Sequence, residues 1–312
     1  MCAMVHFLGS SASHKTKAKT VKTQGLIEAD GLEIYSYKDA DIKPFMSRMP
    51  KVAEQLEALK LPYWLFVESS NPIGIVVIGR EPIQLLASPR TTMAFVDLLD
   101  MKSPRDIIET FATKALRLIS QKDVEYALAK FPFKQDVAIQ EFRKKNFKEF
   151  DDCYYMMCKL DKTYNASTEL EFKQTRKEEM RKFIILTKKF LQDSPDIALT
   201  KALEYILELP DEFLDHYFTM EEFYTVWKDE QPVGILNINT AKGLVSNVGV
   251  DPQQRDKGYG RQIMLFGLQQ LKRKGREQAY LRVHVDNKPA VHLYENLGFV
   301  KAQRYKRLIW QR

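Results

Sequence analysis

Residues 245–261 read VSNVGVDPQQRDKGYGR, and this segment decides the fold prediction. An apolar strand with Val248 and Val250 enters a proline turn, and Gly258 and Gly260 then open an amphipathic helix. Backbone N–H groups at a helix N-terminus lack partners and lie at the positive end of the helix dipole, so they attract anions. Glycine lets a phosphate oxygen approach the backbone closely. Three cationic side chains add positive charge: Arg255, Lys257 and Arg261.

A second signature follows at residues 287–299, which read NKPAVHLYENLGF. The first segment alone is a weak signal, because it matches neither the GxxxxGK[ST] of a P-loop nor the full GxGxxG of a Rossmann turn, and a plain glycine turn would also fit it. Together, V-x-V-x-P-x-x-R-x-x-G-x-G and N-x-x-A-x-x-L-Y-x-x-x-G-F resemble the GNAT superfamily of N-acetyltransferases. By element order the resemblance covers about Glu169–Arg312. It implies direct transfer of an acyl group from acyl-CoA to an amine, with no covalent enzyme intermediate.

The resemblance implies a role for each matching residue. The backbone of Val248, Gly249 and Val250 would bind the pantetheine arm of acetyl-CoA, with Asn287 and Ala290 beside it. The CoA pyrophosphate would lie on the backbone of the turn, at Arg255, Asp256, Lys257, Gly258, Tyr259, Gly260 and Arg261. The usual general acid, which would protonate the departing thiolate, is matched by Tyr294. An aromatic side chain that only packs on the sheet is the alternative interpretation of that residue.

The sequence leaves the general base open. An alkyl amine is mostly protonated at neutral pH, so some group must accept its proton. Some branches of the resembling family place Glu where this chain has Arg282. His284 and Asp286 share a strand face with Arg282 at period two, and each is interpreted as structural rather than catalytic. Relay of the proton through water is the other route, and a backbone N–H near Val248 is expected to stabilise the oxyanion.

Hydrophobic periodicity predicts the same order of strands and helices twice along the chain. A polar break at residues 162–168 separates the two passes. Two local matches support a repeat: PIGI at 72–75 with PVGI at 232–235, and Ala138, Phe142 and Phe147 with Ala290, Tyr294 and Phe299. Within the first pass the pattern predicts a helix over residues 41–60, an insertion in residues 79–90 and a helix capped by Ser103.

The predicted fold class is α/β (α+β), with two GNAT-like domains that are each a twisted mixed sheet flanked by helices. The predicted boundaries are a disordered basic tail at residues 1–27, a degenerate GNAT-like domain at 28–162 and a catalytic domain at 168–312.

The first copy is expected to be inert. Its counterpart of the phosphate turn, residues 97–110, reads DLLDMKSPRDIIET and has no Gly-x-Gly. Asp97, Asp100 and Asp106 place negative charge where phosphates would lie. Phe142 stands at the place of Tyr294 and has no proton to give, and Asn146 stands at the place of Gly298. We expect this copy to serve as a scaffold or to grip the substrate.

Composition and charge exclude several classes of function. The net charge of +7 includes four lysines in a polar N-terminal stretch, which favours a solvated leader over a nucleic-acid contact: Lys15, Lys17, Lys19 and Lys22.

No apolar run reaches the ~18 residues that span a bilayer, and no secretory signal is evident, so a cytoplasmic protein is predicted. Cys153 and Cys158 would face opposite sides of a strand and cannot pair. The histidines and cysteines lack zinc spacing, so no metal is expected.

Two hypotheses of function follow. The first is an enzyme that acetylates a primary amine, with acetyl-CoA as the donor and a small molecule, a protein N-terminus or a lysine as the acceptor. The second is a catalytically weak CoA-binding sensor or interaction protein. The retained glycine turn and Tyr294 favour the enzyme, because a sensor has no use for the phenol. The sequence leaves the acceptor and the oligomeric state open.

Overall fold

The computed structural model describes residues 31–80, 92–166 and 169–312. The predicted basic tail at 1–27 and most of the predicted insertion at 79–90 lie outside these ranges. Contacts group the described residues into two compact units. The first unit contains residues 31–80, 92–150 and 306–312, and the second contains residues 151–305 apart from the two residues 167–168.

The first unit is a mixed sheet flanked by helices. Its strands lie side by side in chain order, followed by the end of the last strand of the chain: β1 (Leu32–Ser36), β2 (Tyr63–Glu68), β3 (Asn71–Arg80), β4 (Thr92–Leu98), β5 (Tyr126–Pro132) and β12 (Val300–Gln311). Neighbours from β1 to β4 are antiparallel, whereas β4 and β5 are parallel. The helices are α1 (Lys43–Met46), α2 (Pro50–Leu59), α3 (Arg105–Gln121) and α4 (Asp136–Lys144).

Two local predictions in this unit are wrong, and each concerns a segment that contains a proline. The helix predicted over residues 41–60 is split into α1 and α2, because Pro50 lacks the N–H that a continuous helix needs and Met49 leaves the helical region (φ −126°, ψ 59°). Ser103 does not cap α3: the N-cap is Pro104, and the Ser103 hydroxyl is buried without a hydrogen-bond partner among the described residues.

The second unit repeats this plan with a longer helical insertion after its first strand. In spatial order its strands are β6 (Lys148–Lys159), β11 (Gln278–His284), β10 (Leu244–Val250), β9 (Gln231–Asn239), β8 (Glu222–Lys228) and β7 (Glu171–Gln174). Its helices are α5 (Met180–Leu191), α6 (Ile197–Tyr205), α7 (Asp211–Met220), α8 (Tyr259–Arg273) and α9 (Lys288–Asn296). The sequence pattern had not predicted α7.

Helices cover both faces of the second sheet. On one face α5 and α7 pack against β8 and β9 through Phe183, Tyr217, Phe223 and Ile235. On the other face α8 and α9 pack against β9, β10 and β11 in a cluster that includes Leu268. Full burial of each large apolar side chain stabilises the fold by about 1.5–3 kcal/mol, so both faces are firmly held.

Equivalent glycines confirm the repeat. β3 bulges at Ile73 relative to β2, just after Pro72, and β9 bulges at Val233 relative to β8, just after Pro232. A Cβ atom on Gly74 would lie 2.3 Å from the ring of Phe111 in α3, and one on Gly234 would lie 2.5 Å from Ile263 in α8. In both units a glycine on the third strand therefore lets the long helix approach the sheet.

The two units do not divide at the polar break. Residues 153–159 of β6 pair antiparallel with β11 in the second unit. The chain end belongs to the first unit, where Leu308 is in the core and the Arg312 N–H donates to the Glu125 carbonyl at 2.9 Å. The boundary at residues 162–168 stays a prediction about independent folding.

Candidate active site

A slot opens between the two central strands of the second unit. β10 and β11 run parallel but pair at a single position, Leu244 with Tyr280. Beyond that position β10 bulges between Val245 and Val248 relative to β9, and its edge toward β11 has no further partner strand. Two unpaired strand edges facing each other can hold an extended ligand through backbone hydrogen bonds.

The first unit has no such slot. There β4 and β5, the counterparts of β10 and β11, pair at five positions from Met93–Tyr126 to Asp97–Lys130. The pairing of β4 with β3 is also continuous, without the bulge seen in β10. A ligand cannot enter between strands that are already hydrogen-bonded to each other, so these two strands of the first unit leave no room for an extended ligand between them.

The turn after β10 is fixed at its base by Asp251. The Asp251 carboxylate accepts the Gln253 N–H at 3.0 Å and pairs with Lys189 of α5 at 2.6 Å. Hydrogen bonding to Lys189 and the Gln253 N–H outweighs the opposing effect of burial and keeps the Asp251 pKa below its usual range. The backbone then passes through left-handed conformations at Asp256 (φ 64°) and Gly258 (φ 80°) before α8 begins at Tyr259.

This turn leaves a run of backbone donors free. The N–H groups from Asp256 to Gly260 donate no hydrogen bond to any residue that the structure describes. The first donors that are used belong to Arg261 and Gln262, which both bond to the Gly258 carbonyl. Free N–H groups in alternating backbone conformations at the start of a helix form a concavity that suits an anion. That this turn binds the CoA pyrophosphate stays a prediction.

The cationic side chains of the turn are placed differently from one another. Arg255 donates to Asp193 at 3.2 Å and to the Phe190 carbonyl at 3.4 Å, so its guanidinium anchors the turn to the end of α5. Lys257 donates to the Gln254 side chain at 2.8 Å. The Arg261 side chain is exposed at the start of α8. The backbone therefore provides the cradle, and the side chains brace it and add positive charge.

Tyr294 lies on α9, on the face of the sheet that carries α8. Its ring is half-buried in the cluster that also contains Val248 and Val250, and lies 6.0 Å from the Phe299 ring. Its hydroxyl makes no hydrogen bond with the described part of the chain. Desolvation raises the pKa of Tyr294 to about 12, so the phenol keeps its proton at physiological pH.

Two further residues considered in the sequence analysis, Asn287 and Arg282, have structural partners. The Asn287 side chain accepts the Ala290 N–H at 3.3 Å and so caps α9. Arg282 is buried and ion-paired with Asp151 at 3.0 Å and with Asp196. This pairing makes Arg282 a structural cation that ties β11 to β6 and to the N-terminus of α6.

His284 and Asp286 are coupled to each other. The Asp286 N–H donates to Nδ1 of His284 at 3.2 Å, so a neutral His284 carries its proton on Nε2. The His284 side chain is buried, whereas that of Asp286 is exposed.

A buried polar cluster on the opposite face was missed by the sequence reasoning. Glu221 accepts hydrogen bonds from Ser246 at 2.9 Å, from Asn237 at 3.2 Å and from Tyr217 at 3.3 Å. Ser246 lies inside the bulge of β10, so the cluster touches the strand that borders the slot. A usable signal existed, because residues 210–220 place Pro and two acids at the start of an amphipathic stretch, a helix-start pattern that leads into Glu221.

In the first unit the corresponding positions belong to the core. Phe142 is 0% exposed and packs against Phe111, Phe131 and Phe147. Asp97 occupies the position of Gly249, opposite Ile75 of β3 as Gly249 is opposite Ile235 of β9. Burial raises the pKa of Asp97 to about 7, and Lys130 lowers it by less.

Asp97→Asn should stabilise the chain at pH 8 and change little at pH 4. The folded-state pKa lies above the unfolded value, so the native chain holds a proton that the unfolded chain releases, and stability falls as the pH rises from about 4 to about 7. At about 1.36 kcal/mol per pKa unit, the gain at pH 8 is at most about 4 kcal/mol. Thermal unfolding at both pH values measures it.

Asp106→Asn provides the control for that measurement. Asp106 is exposed in the first turn of α3, where a negative charge favours the helix dipole. Its removal should lower stability at pH 8 by about 0.3–1 kcal/mol. A gain of similar size from both variants would contradict the assignment of the buried charge to Asp97.

The described residues contain no group of three or more His, Cys, Asp or Glu side chains that could hold a metal ion. In that part of the chain no helix has the length and apolar character to cross a bilayer. Cys153 and Cys158 are both buried, and neither forms a disulfide with another described residue.

Sequence comparisons find relatives for the second unit. Residues 188–299 match the family model described as the acetyltransferase (GNAT) family. A mycothiol acetyltransferase of Thermobispora bispora is 48% identical over 59 residues, which are 19% of this chain and 20% of that protein. One of Gordonia bronchialis is 36% identical over 89 residues, 27% of this chain and 29% of that protein. The chain thus matches less than a third of the length of these two relatives.

Structural comparisons cover nearly the whole chain. A GCN5-related N-acetyltransferase from Sphaerobacter thermophilus has a TM-score of 0.60 at 12% identity, over 84% of this chain and 85% of that one. A tandem GNAT protein from the clavulanic acid biosynthesis pathway has a TM-score of 0.58 at 13% identity, over 90% and 98% of the two chains. At such low identity the likeness shows the fold, and it confirms the predicted class of two GNAT-like domains.

Proposed function

We propose that the second unit transfers an acetyl group directly from acetyl-CoA to a primary amine. The match of residues 188–299 to the GNAT acetyltransferase family model supports this proposal. The observation that carries the proposal is the slot between β10 and β11, which ends at a run of free backbone N–H groups. In the described part of the first unit the corresponding strands β4 and β5 are paired at five positions and leave no slot. A single slot fits one CoA per chain.

The residues present fit acetyl-CoA, which when bound supplies an acetyl group activated as a thioester. The N–H groups from Asp256 to Gly260 would hold the pyrophosphate, each charge-assisted bond contributing about 1.5–3 kcal/mol. The free edge of β10 from Val248 to Val250 would hold the amides of the pantetheine arm. A backbone N–H near Val248 would stabilise negative charge on the carbonyl oxygen. Tyr294 would donate its proton to the departing sulfur.

The raised pKa of Tyr294 is compatible with that role. A phenol of pKa about 12 is a weak acid compared with an ordinary thiol, whose pKa is about 8.5. Burial raises the pKa of thiols and phenols alike, because it disfavours both anions. A thiolate held at the same desolvated place is therefore a stronger base than in water, and the phenol donates to it as charge develops.

For the acceptor we propose only a chemical class, the primary amines. A small-molecule amine, a protein N-terminus and a lysine all present the primary amine that this chemistry needs. The matching relatives are named for mycothiol, but they match over too short a segment to transfer that acceptor to this chain. Free buried thiols in the second unit fit a reducing compartment such as the cytoplasm.

Acetyl-CoA should bind at one site per chain, and thiol should be released from it when a suitable amine is present. Calorimetric titration measures the stoichiometry, and thiol release from acetyl-CoA over a panel of primary amines and peptides measures the transfer. Two equivalent sites, or none, would contradict the assignment of the slot. Binding without thiol release for any amine would favour the CoA-binding sensor instead.

A further inference from the structure

The Glu221 carboxylate is buried without a positive partner. Its residue is 6% exposed, and none of the described residues forms an ion pair with it. Neutral groups supply its hydrogen bonds: Ser246, Asn237 and Tyr217. A buried carboxylate is normally paired with a cation, because removing the charge from water costs several kcal/mol that neutral donors offset only in part.

The surroundings of Glu221 accommodate a proton. Asn237 is 0% exposed, and its Oδ1 atom has no hydrogen-bond partner in the described part of the chain. The Asn237 amide now presents Nδ2 to Glu221. Rotation of the amide by half a turn would present Oδ1 instead, which accepts a hydrogen bond from a protonated carboxyl group. The cluster is therefore built to serve both protonation states of Glu221.

Ser246 connects this carboxylate with the slot. The serine lies in the bulge of β10, two residues beyond the last position at which β10 pairs with β11. The five residue steps from Val250 back to Val245 span about 17 Å along the strand. A pantetheine arm that starts at the phosphate cradle and follows β10 would therefore bring its thioester to the inner end of the slot, beside Ser246.

We infer that Glu221, acting through the Ser246 hydroxyl, accepts the proton of the attacking amine. This inference rests on the proposed function and supplies the base that the sequence leaves open. Tyr294 lies on the α8 face of the sheet, whereas the Glu221 cluster lies on the α5 face with Tyr217. The proton donor and the proton acceptor thus approach the slot from opposite faces.

The protons balance over one turnover. The bond that forms joins the amine nitrogen to the carbonyl carbon, and the bond that breaks joins that carbon to sulfur. Ser246 takes the nitrogen's proton and passes its own to Oε1 of Glu221, while Tyr294 gives its proton to the sulfur. Glu221 then releases its proton to water, and Tyr294 regains one from solvent. A cavity of about 250 Å³ has Glu221 in its lining, together with Gln174, Phe218 and Thr240, and provides the route to water.

Glu221→Gln tests the inference, because it keeps the shape and removes the base. With the best primary amine from the thiol-release panel, kcat should fall about 10²-fold or more, the usual contribution of a positioned base. Acetyl-CoA affinity by calorimetry should stay within about twofold. The loss should be smaller with hydroxylamine, a weaker base whose proton leaves more easily. The melting temperature should stay equal or rise, because an unpaired buried charge has been removed.

Glu222→Gln is the matched control. Glu222 is the next residue, accepts from Tyr224 at 2.7 Å and pairs with Lys274 of α8, so its carboxylate lies on the other face. This variant should keep kcat within about twofold. Should Glu221→Gln fail to fold, Ser246→Ala leaves the carboxylate in place and should lower kcat about tenfold, with a loss of stability of about 1–3 kcal/mol for the lost hydrogen bond.

Three results would overturn the inference. The first is a Glu221→Gln protein that keeps kcat within about threefold of the parent. The second is an equal loss of kcat for strongly and weakly basic amines, which would indicate a structural role. The third is a His284→Gln protein that loses kcat while Glu221→Gln does not, which would place the base on β11. If the parent protein releases no thiol with any amine, the proposed function itself fails, and that result is separate from these three.

Discussion

Tyr294→Phe should lower turnover about 10²–10⁴-fold and leave acetyl-CoA affinity unchanged. The substitution removes one hydroxyl that bonds to no described residue, so it disturbs neither packing nor the hydrogen bonds of α9. The expected loss is the usual contribution of a positioned acid, and it corresponds to about 3–5 kcal/mol of transition-state stabilisation. Turnover must be measured with both substrates saturating, so that losses of binding are not mistaken for chemistry.

The pH dependence gives the same prediction a second readout. Because burial raises the pKa of Tyr294 to about 12, the phenol stays protonated up to pH 10, and the parent protein should show no loss of kcat from its ionisation between pH 7 and pH 10. A variant that stays within about threefold of the parent, with product release shown not to limit the rate, would mean that the hydroxyl is structural and that water protonates the thiolate.

Phe142→Tyr in the first unit is the reciprocal control. The added hydroxyl would enter a cluster of four aromatic rings at a position that is 0% exposed, and no partner for it is present there. The unsatisfied group should cost about 1–3 kcal/mol of stability. No activity should appear in that unit, because β4 and β5 are fully paired and leave no slot for a thioester.

The sequence predicted most of the strands and helices, because their signals are local. Alternating apolar residues gave β2, β3, β8 and β9, and each of the two hairpins turns on a pair of residues with positive φ. Gly275, with φ 78°, follows the end of α8, and glycine is the residue that tolerates this conformation best. Proline was harder to judge: Pro44 is tolerated in the first turn of α1, whereas Pro50 divides the predicted helix in two.

The slot could not be predicted from periodicity. Whether two parallel strands stay paired depends on their register and on the bulge in β10, and alternation is the same for paired and unpaired strands. In this chain Met93–Asp97 of β4 is paired with β5 at every position, whereas Leu244–Val250 of β10 is paired with β11 at one position only. The prediction of a ligand site rests on the resemblance to a family rather than on the pattern.

The Glu221 cluster was hidden for a different reason. Its members come from the end of α7, from β9 and from β10, and only the fold brings their polar atoms within 2.9–3.3 Å. A single buried carboxylate in a charged sequence has no signature of its own. On β11 the two-residue period places Arg282 and His284 on the same face of the strand. In the structure Arg282 is ion-paired and therefore cannot act as the base.

Gly258→Val should lower acetyl-CoA affinity about 10²–10⁴-fold, which corresponds to the loss of two charge-assisted hydrogen bonds of the cradle at about 1.5–3 kcal/mol each. Gly258 has a φ of 80°, and a Cβ atom there would meet nothing within 4 Å, so the new side chain would project into the open space beside the free N–H groups. Strain at this φ costs about 1–2 kcal/mol of stability in any L-residue.

Gly275→Val separates strain from binding, because Gly275 ends the same helix with a φ of 78° and equally open surroundings. The two variants should melt at similarly lowered temperatures, since both force a branched residue into the left-handed region. Only Gly258→Val should lose affinity, because no free N–H run lies at the C-terminal end of α8. Calorimetric titration and thermal unfolding of the two proteins, side by side, measure both effects. If both variants bind acetyl-CoA as tightly as the parent, the pyrophosphate does not lie on this turn, and the anion site must be sought elsewhere in the second unit.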